Sequence, residues 1–152
     1  MRYCFGYEFR LAGKLFIAEE DGFITAVSKT ADNSCVLRET SLIRETKRQL
    51  EEYFGKTRTH FTLPLKPEGT DFQKKIWAEL EKIPYGQTIS YGELAKRAGN
   101  PRGARAAGSA CNKNPVCIII PCHRVVAADG SLTGYAYGIE TKQMLLEMER
   151  RS

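Results

Sequence analysis

Pro64 and Pro67, in the segment Thr62-Leu63-Pro64-Leu65-Lys66-Pro67-Glu68-Gly69, constrain this 152-residue chain more than any other feature. Neither can donate a backbone hydrogen bond, so the segment continues neither a helix nor a central strand. It reads as a linker, with domains expected at 1–67 and 68–152. The residues before it pattern as β structure. Tyr3, Phe5, Tyr7 and Phe9 alternate, Leu15-Phe16-Ile17-Ala18 follows a glycine, and Asp21-Gly22 precedes Phe23-Ile24-Thr25-Ala26-Val27. A small antiparallel meander is expected. An amphipathic helix carrying Ile43, Leu50, Tyr53 and Phe54 should follow it and stop at Gly55.

Beyond the linker the period becomes helical. Thr70-Asp71-Phe72-Gln73 fits a capping box, and Phe72, Ile76, Leu80 and Ile83 share one face up to the turn Pro84-Tyr85-Gly86. Ser90-Tyr91-Gly92-Glu93 is a second box, opening a helix that should end at Gly99-Asn100-Pro101. A further helix is expected from Gly103 to Asn112. Two short helices around a Gly-containing turn match a helix-turn-helix, and a plain helical hairpin fits the same pattern. The second helix is thin: Ala104, Ala106, Ala107, Gly108, Ser109 and Ala110 surround one large side chain, Arg105. Small residues suit close approach to another surface, or tight packing inside the protein. The fold class is therefore α/β (α+β), a small N-terminal domain with an antiparallel sheet and helix, then a mainly helical C-terminal domain.

The net charge of +5 favours a polyanionic partner, and Lys96, Arg97, Arg102, Arg105 and Lys113 cluster around the two short helices as phosphate-contacting groups would. With 42% hydrophobic residues the chain can bury a core without disulfide staples. Five cysteines at irregular spacing, no secretory leader and no apolar run near the ~18 to 20 residues of a membrane span point to reduced thiols and a cytoplasmic location.

Val116-Cys117-Ile118-Ile119-Ile120 reads as a buried strand that Pro121 ends. Cys122-His123-Arg124 follows at once, before Val125-Val126. Two reactive side chains and a permanent cation in apolar surroundings are costly unless each has a partner. A thiol is activated by a neighbouring base or cation, so Cys122 is the candidate nucleophile, while Cys4, Cys35 and Cys117 read as small buried hydrophobes. Adjacent side chains on an extended strand point oppositely, so His123 can serve Cys122 only if the chain bends or a water bridges them. Met144, Leu145 and Met148 form the inward stripe of a last helix. Glu149 near its C-terminus opposes the macrodipole unless it holds a cation such as protonated His123.

Pro121-Cys122-His123-Arg124-Val125-Val126 resembles the active-site signature of the O6-alkylguanine-DNA alkyltransferases, also called methylated-DNA protein-cysteine methyltransferases. The resemblance extends through Gly69-Thr70-Asp71-Phe72-Gln73, Ile83-Pro84-Tyr85-Gly86-Gln87-Thr88, Ser90-Tyr91-Gly92-Glu93-Leu94-Ala95, Ala104-Arg105-Ala106, Asn114-Pro115 and Tyr135. It implies the two-domain layout above, with the thin helix entering the minor groove of double-stranded DNA, about 6 Å wide. It implies that Cys122 takes the alkyl group from O6-alkylguanine, and O4-alkylthymine as well. His123 is then its water-linked base, Glu149 the acid that orients the base, and Asn114 the hinge of the reactive loop.

By the same resemblance Arg105 enters the base stack, Tyr91 helps turn the phosphate and contacts the extruded base, and Ala104, Arg102 and Gly108 belong to the DNA-binding surface. Tyr91, Cys111, Val125, Val126, Tyr135, Ala136 and Tyr137 line the pocket. A thiolate that displaces guanine from an alkyl carbon makes a thioether, which water does not readily cleave, so each molecule should act once. No cofactor is then needed. No metal is expected either, because Cys4, Cys35 and His60 match no zinc motif. The protein is expected to be a monomer and to have no membrane partner. A non-catalytic alkyltransferase-like protein would carry tryptophan at Cys122. A helix-turn-helix transcription factor would read the major groove with longer side chains, and a cysteine hydrolase would need an oxyanion hole.

Overall fold

The computed structural model describes residues 1–132 and 134–150, and the chain forms two compact units. The first comprises Met1–Glu68 together with Pro115–Cys117. The second runs from Gly69 to Asn114 and continues from Ile118.

In the first unit, strands β1 (Arg2–Phe9), β2 (Gly13–Glu20) and β3 (Phe23–Ser28) form the expected antiparallel meander. Gly13 and Gly22 carry the turns at positive φ, where other residues are strained. A fourth strand, β4 (Val36–Leu37), pairs parallel to β1, so the sheet is mixed, in the order β3-β2-β1-β4. Two residues with polar neighbours gave no period from which to foresee it. Helix α1 (Ser41–Phe54) is capped by Thr40, whose side chain accepts from the Ile43 amide, and it buries Ile43, Leu50 and Tyr53.

Three expectations change here. The proline segment is partly tied down, since Leu65 bridges Ile24, with Ile24 N–H donating to Pro64 O and Lys66 N–H to Ile24 O. A sheet edge accepts proline because only the carbonyl is needed there. The apolar run 116–120 is buried but is not a strand: Val116 alone bridges Val27, and Ile118 sits at φ 70. A β-branched residue at positive φ breaks the extended geometry a ladder requires. Cys4 and Cys35, expected as free thiols, form a disulfide with their Cα atoms 5.9 Å apart. His60 is exposed.

In the second unit, α2 (Asp71–Leu80) opens with the complete Thr70/Gln73 capping box and buries Ile76, Trp77 and Leu80. Strand β5 (Ile89–Ser90) leads directly into α3 (Tyr91–Arg97), where Ser90 Oγ accepts from the Glu93 amide. After a turn with Gly99 at positive φ comes α4 (Ala104–Asn112). Cys122–Arg124 then forms a single 3-10 turn, β6 (Val125–Val126) pairs parallel with β5, and α5 (Ile139–Arg150) closes the unit. Among the described residues no helix is long and apolar enough to cross a membrane.

Candidate active site

The α3–turn–α4 arrangement uses small residues on two faces at once. Ala107, Ala110 and Cys111 are buried, and Trp77 Nε1 donates to Ala110 O at 2.9 Å, so α2 packs closely on that side of α4. On the other side Arg105, Ala106 and Ser109 are exposed, leaving Arg105 to project from a slender surface. Ala104 and Gly108 are half-buried and Arg102 is exposed. A methyl group on Gly108 would meet the Tyr91 ring at 3.7 Å, which places Tyr91 alongside α4. Of the expected pocket residues Cys111, Val125, Val126 and Tyr135 are buried, Tyr91 and Tyr137 half-buried, and Ala136 exposed. The Tyr135 and Tyr137 rings stand edge to face with centroids 5.5 Å apart, and Tyr137 Oη donates to Asn114 O at 3.2 Å.

Cys122 is 3% exposed. The chain bends at this residue, since Arg124 N–H donates to Pro121 O and closes the 3-10 turn. Asn114 Nδ2 donates to Ile120 O at 2.8 Å and approaches Cys122 Sγ at 3.4 Å, so one amide holds both the loop and the sulfur. Burial pushes the thiol up to about 11, and the Asn114 hydrogen bond and the charge of Lys142 oppose that rise. The resting sulfur is therefore a thiol, which would have to lose its proton before it could act as a nucleophile. Cys111, on α4, is pushed up to about 12, first by burial and then by the neighbouring Cys122.

His123 and Glu149 are both buried, and His123 Nε2 lies 2.8 Å from Glu149 Oε2. Arg124 makes a two-pronged contact with the same carboxylate, Nε to Oε1 at 2.9 Å and Nη2 to Oε2 at 3.0 Å. The Gly86 amide adds a bond to Oε1 at 3.2 Å, Arg124 Nη1 donates to Ile83 O at 2.7 Å, and the guanidinium lies 5.7 Å from the Tyr85 ring centre. Burial would raise the Glu149 carboxyl, but the hydrogen bonds from His123 and Arg124 and the charge of Arg124 outweigh it and hold it at about 2. The cation that satisfies Glu149 is thus Arg124. It is not a protonated His123, because burial lowers that imidazole below its ordinary value and favours its neutral form. A neutral ring beside a carboxylate carries its proton on Nε2, which leaves Nδ1 as the acceptor. Nδ1 has no hydrogen-bond partner among the described residues.

Two participants escaped the sequence reading. The Arg124–Glu149 pair joins residues 25 positions apart, and no local pattern selects that partner among the acids of the chain. Lys142 is fully buried and donates to Tyr91 Oη at 3.3 Å. Its signal was present, since it lies three residues before Leu145 and seven before Glu149, on the inward face.

Residues 2–67 match the ribonuclease-like domain, and residues 71–151 the DNA-binding domain, of 6-O-methylguanine DNA methyltransferase. The chain belongs to the 6-O-methylguanine DNA methyltransferase family. A methylated-DNA–protein-cysteine methyltransferase of Methanosarcina acetivorans is 55% identical over 106 residues, covering 70% of this chain and 68% of that protein. The constitutive enzyme of that name from Bacillus subtilis is 42% identical over 151 residues, covering 92% and 91%. The crystal structure of the Mycobacterium tuberculosis O6-methylguanine methyltransferase superposes with a TM-score of 0.91 at 38% identity, covering 99% of this chain and 94% of that one. The M. tuberculosis protein OGT, solved in complex with DNA, superposes with a TM-score of 0.92 at 38% identity, covering 98% and 93%.

Proposed function

We propose that this protein repairs DNA by moving the alkyl group of O6-alkylguanine, and of O4-alkylthymine, onto Cys122 Sγ, once per molecule. The observation that carries this reading is the polarity of the buried relay. Glu149 holds the Nε2 proton of a neutral His123, so the ring can accept only at Nδ1, and the turn at 122–124 sets that ring next in sequence to a thiol gripped by Asn114. The thiol proton passes to His123 through a bridging water. Sulfur then attacks the alkyl carbon, the carbon–oxygen bond breaks, and the purine leaves with the electron pair. Because the product is a thioether, nothing in the cycle regenerates the thiol, and no metal or cofactor enters the chemistry.

Delivery of the base falls to α3 and α4. The thin face of α4 enters the minor groove, Arg105 fills the stack from which the nucleotide has turned out, and Tyr91 contacts the turned base. Arg102, Ala104 and Gly108 lie along that approach. Extrusion costs a few kcal/mol, less for a poorly paired lesion, which favours damaged sites. Cys111, Val125, Val126, Tyr135, Ala136 and Tyr137 form the pocket. The domains divide at 67/68, and the protein acts as a monomer inside the cell. Titrating a fixed amount of protein with excess methylated duplex tests the scheme. Repaired base should plateau at one equivalent per protein, and a yield that climbs past that ratio would refute it.

A further inference from the structure

Asn114 is buried, and its backbone is held from two sides. Its N–H donates to Cys111 O at 3.2 Å, at the end of α4, and its carbonyl accepts from Tyr137 Oη at 3.2 Å. The side chain points the other way, with Nδ2 donating to Ile120 O at 2.8 Å and reaching Cys122 Sγ at 3.4 Å. Tyr137 is itself well seated. Its ring stands edge to face on the buried Tyr135, and Gly138 N–H donates to Tyr135 O at 3.0 Å. Lys142 N–H then donates to Gly138 O at 3.1 Å, so this turn runs directly into α5. The same segment meets α4 a second time at Gly134, where an added methyl group would stand 3.6 Å from Asn112 Nδ2. One helix thus serves both halves of the site. Glu149 near the C-terminus of α5 holds His123, and Tyr137 just before its N-terminus holds Asn114.

We propose that Tyr137 is a positioning residue of the transfer reaction: its hydroxyl fixes the backbone of Asn114, and through it the aim of the Asn114 amide at Cys122 Sγ. This rests on the reading of Cys122 as the acceptor. The arrangement needs the hydroxyl and not merely an aromatic ring, because the bond to the Asn114 carbonyl is what stops that residue from turning. Nδ2 divides its protons between a carbonyl oxygen and a sulfur, and sulfur is the weaker acceptor. An Asn114 free to turn would keep the shorter bond to Ile120 O and give up the longer one to Sγ. A phenol suits the task, since a rigid ring with two side-chain torsions sets a distance at little entropic cost. The 3-10 turn carries sulfur and imidazole together, so anchoring Asn114 and Glu149 to the same helix keeps their two partners in register.

Tyr137→Phe tests the idea, because it removes one oxygen and keeps the ring. Single-turnover transfer should slow about two- to tenfold, the worth of one neutral hydrogen bond. The factor should be the same on a methylguanine duplex and on free O6-methylguanine, and affinity for the duplex should not change. A double-mutant cycle separates this role from a contact with the substrate. In an Asn114→Ala background Tyr137→Phe should leave the residual rate as it is, since the amide through which the hydroxyl acts has gone. A full effect of Tyr137→Phe in that background would overturn the proposal. So would an unchanged rate in the single variant, or a rate that falls only in step with a lower melting temperature. Should Asn114→Ala fold poorly, hydrogen exchange of the Asn114 side-chain amide, followed by NMR in the parent and in Tyr137→Phe, decides the matter. Exchange should quicken by a factor similar to the loss of rate, and equal exchange in the two proteins would overturn the proposal. Methyl found on a residue other than Cys122 would instead refute the assignment on which it rests.

Discussion

Glu149 accepts from His123 and Arg124 with the same carboxylate, Nε2 of the histidine lying 2.8 Å and Nη2 of the arginine 3.0 Å from Oε2. The two donors are adjacent in sequence, so one acid fixes both the tautomer of His123 and the geometry of the turn that carries Cys122.

The gap between an ordinary carboxyl near 4.5 and about 2 for Glu149 corresponds to on the order of 3 kcal/mol of folding stability. Because the folded value is the lower one, this stabilisation is complete above about pH 4.5 and is lost as pH falls toward 2. His123, held neutral, acts in the same direction below its ordinary 6.5, since protonation there favours the unfolded chain. Glu149→Gln should cost about 3 to 5 kcal/mol at pH 7 by leaving Arg124 buried without its countercharge. It should also flatten the acid limb of stability against pH. Urea melts at pH 7 and pH 4 measure both effects, and an equal loss at the two pH values would contradict the pairing.

Gly108→Ala is expected to stabilise the protein by about 0.5 to 1 kcal/mol, since glycine inside a helix is unfavourable and the added methyl meets Tyr91 at an ordinary 3.7 Å. Gly108→Val should displace the Tyr91 ring and slow repair of duplex substrate. A thermal melt and a single-turnover assay of each variant separate the two effects. Loss of stability in Gly108→Ala would mean that Tyr91 is packed more tightly than the distances indicate.

Arg105→Ala should weaken repair of duplex lesions far more than reaction with a free alkylated base, because only the duplex needs a side chain to fill the vacated stack. Comparing second-order rates on a methylguanine duplex and on free O6-methylguanine measures this. Equal losses on both substrates would remove Arg105 from that role.

Reduction of Cys4–Cys35, which closes a sequence separation of 31, should lower the stability of the first unit by at most about 4 kcal/mol. Transfer at room temperature should be unaffected, since Cys122 belongs to the other unit. Free-thiol counts and melts with and without reductant give the comparison, and faster or slower transfer on reduction would link the two units in a way the account lacks.

The sequence made the local structure legible wherever a period or a cap repeats. The Thr70/Gln73 box, the alternation from Tyr3 to Phe9 and the helix from Ser41 all appear where the pattern puts them. It was poor where a single backbone angle decides. Nothing in Val116–Ile120 announces positive φ at Ile118, and hydrophobic content alone reads as a strand. Cys122-His123-Arg124 marked the place proposed for the chemistry. Which ion balances Glu149 depends on a fold contact between the 3-10 turn and α5, and no local pattern distinguishes His123 from Arg124 there. Lys142 departs from the usual solvent exposure of lysine, and only its spacing from Leu145 and Glu149 marks it as inward-facing.

The measurement that tests the central claim most directly is the intact mass of the protein after reaction with a methylguanine duplex, followed by fragmentation of the tryptic peptide from Asn114 to Arg124. That peptide holds Cys117 as well as Cys122, so fragment ions must separate the two thiols. The expected result is one added methyl group, located on Cys122 and absent from Cys117, with Cys122→Ala unmodified yet still able to bind the duplex. A lesion that disappears while the protein mass stays unchanged, or a methyl group found on Cys117 or Cys111, would contradict the account.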